Sequence, residues 1–186
     1  MAPRVRPGPD TEWPLDDLRP AAALLLLYPH NGSWHVPLTV RGSRLRHHTG
    51  QVSMPGGRID PGESIEQAAL REAREEIAVD PASVEVLRQL TPLPVAVSGH
   101  LLHPVVGLAE QRPAFCVAEA EVERLIEVPV ALLQRSDLVK WEERKRSVPP
   151  YALMDVPYFD VHDVRIWGAT AMVLAEFLAL VGDLDV

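Results

Sequence analysis

Apolar residues run unbroken from Ala21 to Tyr28, and a run of that length reads as a buried strand. Asn31-Gly32 follows as a turn signal, and Trp34 to Arg41 reads as a second strand, so the two predict a hairpin. Gln51 to Met54 is a short strand entering Pro55-Gly56-Gly57, and Asp60-Pro61-Gly62 is a turn. Ser64 then stands as an N-cap with Gln67 at the capping-box position. Ile65, Ala69, Ala73 and Ile77 recur at helical spacing and predict the buried stripe of a helix, which Asp80-Pro81 ends.

Three further strands are expected, Val84 to Leu93, His100 to Ala109 and Val139 to Arg146. A short helix starts within Val130 to Gln134, and Tyr151 to Val161 is a strand interrupted at Pro157. Trp167 to Val181 is an apolar helix that packs on the sheet. Strands outnumber helices, and helices fall between and after them, which predicts an α/β chain with a mixed sheet and helices on both faces. Residues 1–19, rich in Pro and charge, read as an irregular arm before one domain over 20–186.

The helix after the glycine turn breaks a local rule. Glu72, Glu75 and Glu76 cluster in its last turns, where the helix dipole favours bases. Spacings of three and four residues put the three acids on an arc of roughly 100°, and like charges so placed repel. The acids fall largely off the apolar stripe. A divalent cation relieves the conflict, and an all-oxygen cluster suits magnesium or manganese.

Written as spacings, the segment is Gly57, five residues, Glu63, seven residues, Arg71-Glu72, two residues, Glu75-Glu76, one residue, Ala78-Val79. It resembles the signature of the Nudix hydrolases, which cleave a nucleoside diphosphate linked to another group. Ala78 stands where that family usually has Gly; alanine suits a helical exit but not a left-handed one. The resemblance implies an α/β/α sandwich and a diphosphatase that uses Mg2+ or Mn2+. It implies Glu75 and Glu76 as metal ligands, Glu72 as ligand or water-orienting group, and the Gly56 carbonyl as a further ligand. Gly57, Glu63 and Arg71 fall to structural roles, with Arg71 bracing the loop against the helix. Members of the family often take one more acid from outside this segment. Glu119, Glu121 and Glu123, after a strand around Cys116, are the candidates, with Glu121 in the most similar context.

A second motif lies upstream. Leu38, Thr39, Arg41, Arg46, Gly50, Pro55, Gly56 and Gly57 match the extra signature of the coenzyme A diphosphatase branch; Pro37, Gly42 and Met54 depart from it. Independently, Arg41, Arg44, Arg46, His47 and His48 form a basic cluster before the glycine turn, and arginine forks suit phosphate oxygens. The resemblance implies cleavage of coenzyme A or an acyl derivative to 3′,5′-ADP and the 4′-phosphopantetheine half, with Arg41, Arg44 and Arg46 binding substrate. ADP-ribose, a dinucleoside polyphosphate or an oxidised nucleotide is the alternative substrate. A silent nucleotide-binding domain is a further alternative, disfavoured because all three acids are kept.

Composition narrows the partners. Of 186 residues 47% are hydrophobic, and the net charge is −8. That balance argues against a nucleic-acid binder, leaving a small nucleotide diphosphate as partner. No apolar run approaches the ~20 residues of a membrane span, and residues 1–14 hold no secretory core. The lone Cys116 cannot form an internal disulfide and reads as a small buried residue; a cytoplasmic location fits it. His100 and His103 read as structural, and Trp167 as core. The sequence leaves monomer and homodimer both open.

Overall fold

The computed structural model describes residues 17–42, 51–95, 97–145 and 153–182. The basic residues Arg44, Arg46, His47 and His48 lie outside them.

Strand β1 (Arg19–His30) is the spine of an eight-stranded mixed sheet. It turns at Asn31-Gly32, both at positive φ (49° and 77°), into β2 (Ser33–Arg41). The hairpin pairs only next to its turn, from Tyr28↔His35 to His30↔Ser33, and then opens. Along the opened edge, β4 (Gly56–Arg58) pairs with Ala21–Ala23 of β1. On its other edge β1 runs parallel to β7 (His100–Leu108), which also carries β5 (Glu85–Gln89) and β6 (Leu93–Val95). Strand β2 continues against β3 (Val52–Ser53) and β8 (Val122–Pro129).

Alternation along β1 explains its unbroken apolar run. Ala23, Leu25 and Leu27 enter one core, with β2, β8 and the C-terminal helix α3 (Gly168–Val181). Ala22, Leu24, Leu26 and Tyr28 enter another, with helix α1 (Ile65–Ile77). A strand covered on both faces has no polar side to alternate with. Helices on both faces of a mixed sheet are therefore present as expected. The second sheet was not expected: β9 (Val139–Lys145), β10 (Leu153–Val161) and β11 (Val164–Trp167) form an antiparallel three-stranded layer ahead of α3. Thr170 ties α3 to β3 through a buried 3.0 Å hydrogen bond to the Val52 carbonyl. Short α2 is Val130–Leu133.

Four expectations need correction. Cys116 is exposed and belongs to no strand, because residues 112–118 cross the end of α1 as irregular chain. Its amide caps the Ile77 carbonyl at 3.2 Å instead of joining a ladder. The strand that does form nearby, β8, is one the pattern carries: Val122, Ile126 and Val128 are buried at even spacing. Its interleaved charges disguise it as an acidic loop. Trp167 is half-buried at the N-cap of α3, its ring under the Arg144 guanidinium at 3.9 Å, so it is not core. The expected strand from Val84 to Leu93 is two shorter pieces, because β5 is bulged between Val86 and Arg88 and fully exposed.

Helix α1 has the capping box read from the sequence: Ser64 Oγ accepts from the Gln67 amide at 3.2 Å, and Gln67 Oε1 accepts from the Ser64 amide at 2.8 Å. Its end overturns the expectation for Ala78, which sits in the left-handed region at φ 60°, ψ 30°. There its amide reaches the Arg74 carbonyl at 3.0 Å, and the Val79 amide reaches Ala73 at 3.3 Å. These bonds satisfy carbonyls the helix would otherwise leave open, and they hold an alanine where its Cβ is strained. Ala78→Gly should therefore stabilise the protein by about 1 kcal/mol, raising the melting temperature by about 2–4 °C. Differential scanning calorimetry checks this; a lower melting temperature would show that the alanine is unstrained.

Candidate active site

The site is built where β4 meets α1. Strand β4 lies so close to β1 that a Cβ on Gly56 would stand 2.5 Å from the Ala22 carbonyl oxygen and 2.6 Å from Ala23 Cβ. A Cβ on Gly57 would stand 2.5 Å from the Glu72 Cδ. Gly56 is required by space, not by φ; at Gly57 a side chain would have to displace the Glu72 carboxylate. Gly57 leaves the gap that the Glu72 carboxylate fills.

Arg71 fastens this arrangement. Its Nε and Nη2 donate to Glu63 at 2.9 and 3.0 Å, and Nη1 donates to Glu72 at 2.8 Å and Glu75 at 3.1 Å. Nη2 also donates to the Arg58 carbonyl at 2.9 Å. One guanidinium thus ties the loop, β4 and two turns of α1. Glu63 in turn accepts from the Asp60 amide at 3.1 Å.

The three acids of the helix arc separate. Glu75, with 59% of its side chain exposed, turns outward to Arg71. Glu72 turns in, and burial raises its pKa, though Arg71 opposes that shift. Glu76 is on the buried stripe, contrary to the expectation that the acids fall off it: it is 5% exposed. Its Oε2 is buried without a hydrogen-bond partner. Burial, and after it the negative charges of Glu72 and Glu121, push its pKa up to about 7; the Arg41 charge and a hydrogen bond from the Gly56 backbone pull the other way.

Glu121 is exposed but close enough for its charge to act on both Glu72 and Glu76. Backbone bonds bring it there. The Ala118 amide donates to the Glu76 carbonyl at 2.9 Å, and the Glu121 amide donates to the Ala118 carbonyl at 2.9 Å. The Gly42 amide donates to the Glu121 carbonyl at 3.0 Å. Arg41 stands beside this bridge with its Nε buried and unpartnered. That Arg41 faces Glu76 was not legible in the motif, which places it next to other bases.

Among the described residues no three His, Cys, Asp or Glu side chains are already gathered into a metal-binding group. The donor chemistry nevertheless fits a hard divalent cation. A buried carboxylate oxygen lacks any partner, and two more carboxylates press on it. Uncompensated, such a cluster costs free energy that a cation recovers. His100 and His103 lie within β7, and both have lowered pKa values from burial.

A mixed-sheet sandwich with a glycine turn, an arginine-clamped acidic helix and a buried carboxylate defines a hydrolase site of the Nudix type. The Nudix domain model matches residues 17–150, and the chain belongs to the Nudix hydrolases. It is 37% identical over 139 residues to an uncharacterised Nudix hydrolase, NudL, of Yersinia enterocolitica, covering 74% of this chain and 69% of that protein. It is 35% identical over 164 residues to the mitochondrial Nudix hydrolase 15 of Arabidopsis thaliana, covering 83% of this chain but 55% of the plant protein. The Mycobacterium smegmatis Nudix hydrolase RenU superposes with a TM-score of 0.54 at 27% identity, over 62% of this chain and 73% of that one.

Glu76 yields a pH prediction for the metal-free protein. Its native pKa lies above the ordinary value of 4.5, so the native state keeps a proton that the unfolded chain has lost. The site is therefore least costly below pH 4.5, and stability falls as pH rises from there to about 7, by about 3 kcal/mol. In chelator, Glu76→Gln should lose this slope and melt above the wild type at about pH 8. Parallel melting profiles of the two proteins from acid to alkaline pH would mean that Glu76 is solvated.

Proposed function

We propose that this diphosphatase hydrolyses the diphosphate of coenzyme A or an acyl-coenzyme A, releasing 3′,5′-ADP and the 4′-phosphopantetheine half. The observation that carries the chemistry is Glu76 Oε2, buried and unpartnered within reach of the Glu72 and Glu121 charges. Glu72 and Glu76 would hold Mg2+ or Mn2+ there, with the Gly56 carbonyl as a further donor. Glu75 joins them by turning from its single bond to Arg71. The cation, when bound, neutralises phosphate charge and lowers the pKa of a coordinated water.

The chain's own groups do the rest. Glu121 orients the attacking water and takes its proton. Arg41, at the end of β2 and near enough for its charge to act on Glu76, places positive charge beside the phosphates. Water oxygen bonds to one phosphorus while that phosphorus releases the bridging oxygen, so each half leaves as a phosphate monoester. Gly57, Glu63 and Arg71 keep the carboxylates in place without touching substrate.

Substrate choice rests on the segment from Leu38 to Gly57, whose Arg41 and Arg46 match the coenzyme A branch and whose Arg44 adds to the same basic cluster. Arg44 and Arg46 bind phosphate oxygens of the nucleotide, and Arg46 takes the 3′-phosphate.

Two experiments test this reading. Chelation should abolish turnover, magnesium or manganese should restore it, and Glu76→Gln should remove most activity while the fold survives. Full turnover in metal-free protein, or in folded Glu76→Gln, would sink the metal site. For the substrate, coenzyme A should be cleaved about 10- to 150-fold better than its 3′-dephospho form in kcat/KM, the worth of one charge-assisted hydrogen bond. Arg46→Ala should erase most of that preference. Equal rates on both substrates, or brisk cleavage of ADP-ribose with none of coenzyme A, would reject coenzyme A and leave the diphosphatase intact.

A further inference from the structure

Three basic side chains meet at the start of β1, across the strand from the acids. Parallel pairing sets Arg19 of β1 beside His100 of β7. Antiparallel pairing sets Arg58 of β4 beside Ala21, two residues further along β1. Residues two apart on a strand share a face, and directly paired residues share it too. Arg19, His100 and Arg58 therefore stand on one face. Gly57, with the Glu72 carboxylate on it, has the opposite one.

The three form a conflict of the same kind as the acid cluster, with the sign reversed. Arg19 and Arg58 are exposed, and neither forms a salt bridge among the described residues. Burial, and then the charges of these two arginines, hold the His100 pKa below its usual value. Its Nε2 is buried with no hydrogen-bond partner. Such an atom in a protein of net charge −8 has carboxylates available to it by simple substitution, yet has none. The backbone under the cluster is firm: the Arg58 carbonyl is held by Arg71, the Ile59 amide donates to Pro20 at 3.3 Å, and the Arg19 amide donates to Gly99 at 3.0 Å. Unpaired arginine forks on a fixed backbone, beside an imidazole with a free nitrogen, are the donor set for a tetrahedral oxyanion.

We propose that Arg19, Arg58 and His100 form a phosphate subsite at the edge of the active site, on the sheet face away from α1. Its ligand is a phosphoryl group with free oxygens, either a monoester on a nucleotide or inorganic phosphate. The two arginines supply paired N–H donors, and the His100 ring, whose other nitrogen bonds the Ser98 backbone, takes a proton when the anion binds and donates from Nε2 to the same oxygens. The subsite is distinct from the basic segment that begins at Arg41, and it does not depend on the cation. Binding there is measured without turnover, so a failed diphosphatase reading would leave it standing.

The test is titration of the full chain in EDTA, which prevents phosphate from entering through a cation, followed by calorimetry and by NMR of the histidine rings. The probes are inorganic phosphate and adenosine 3′-monophosphate. Wild type should saturate with at least one of them, and the His100 ring signals should move. Arg58→Ala and Arg19→Ala should each weaken binding about ten-fold or more, and His100→Gln should weaken it less. Arg88→Ala, which removes another exposed arginine, from β5, should change binding less than about two-fold. Saturation by both probes marks a site that reads phosphate alone, and saturation by the nucleotide alone marks a monoester site; either supports the proposal. It is overturned if no saturable binding occurs below about 10 mM, if folded Arg58→Ala and Arg19→Ala bind as wild type does, or if Arg88→Ala loses as much as they do.

Discussion

Everything in the site depends on one guanidinium. Arg71 makes charge-assisted bonds to Glu63, Glu72 and Glu75 and a further bond to the Arg58 carbonyl. Bonds of this kind are roughly twice as strong as neutral ones. More important than their sum is what they join. The turn after β4, the strand itself and the middle of α1 approach from different directions, and among the described residues Arg71 is the side chain bonded to all three. Without it, Glu72 would lose its nearest counter-charge while remaining against Gly57, a half-buried carboxylate with two acids nearby. The clamp is thus a condition for the acid cluster to exist in the metal-free fold.

The second constraint is steric. The two glycines of β4 are not there for their backbone freedom. Gly56 lets two strands approach until a methyl group would overlap a carbonyl, and Gly57 leaves room for a carboxylate. Close approach and acid clustering are the same design seen from two sides. The strand must sit near β1 for the helix acids to reach it, and the acids must reach it for the loop to be held.

How much of this could be read from the chain follows from which interactions are local. The Asn31-Gly32 hairpin, the Ser64–Gln67 capping box and the apolar stripe of α1 are set within a few residues, and all were legible. Strand β8 was missed because Arg124 falls on the inward period of Val122, Ile126 and Val128, and its charges find partners far along the chain: Arg124 pairs with Asp163, and Glu127 with Arg112 and Tyr28. The inward turn of Glu76 was missed for a related reason. Helical periodicity gives an angle around the axis, but only the packed sheet says how wide the buried sector is. Ala78 shows the opposite case. Its residue type argued against a left-handed exit, and the capping bonds to Ala73 and Arg74 prevailed over a cost of about 1–2 kcal/mol.

The bridge from α1 to β2 has a mechanical meaning. Glu76 offers its carbonyl to Ala118, Ala118 offers its own to Glu121, and Glu121 offers its own to Gly42. Four positions on three separate stretches of chain are thereby linked head to tail through main-chain bonds, each about 3 Å long. Such a chain resists stretching far better than side-chain contacts do, because no rotamer can absorb the strain. A displacement at the end of β2 must therefore be transmitted to the last turn of α1. The fold has in effect a tie rod, with a buried carboxylate at one end and the start of a basic segment at the other.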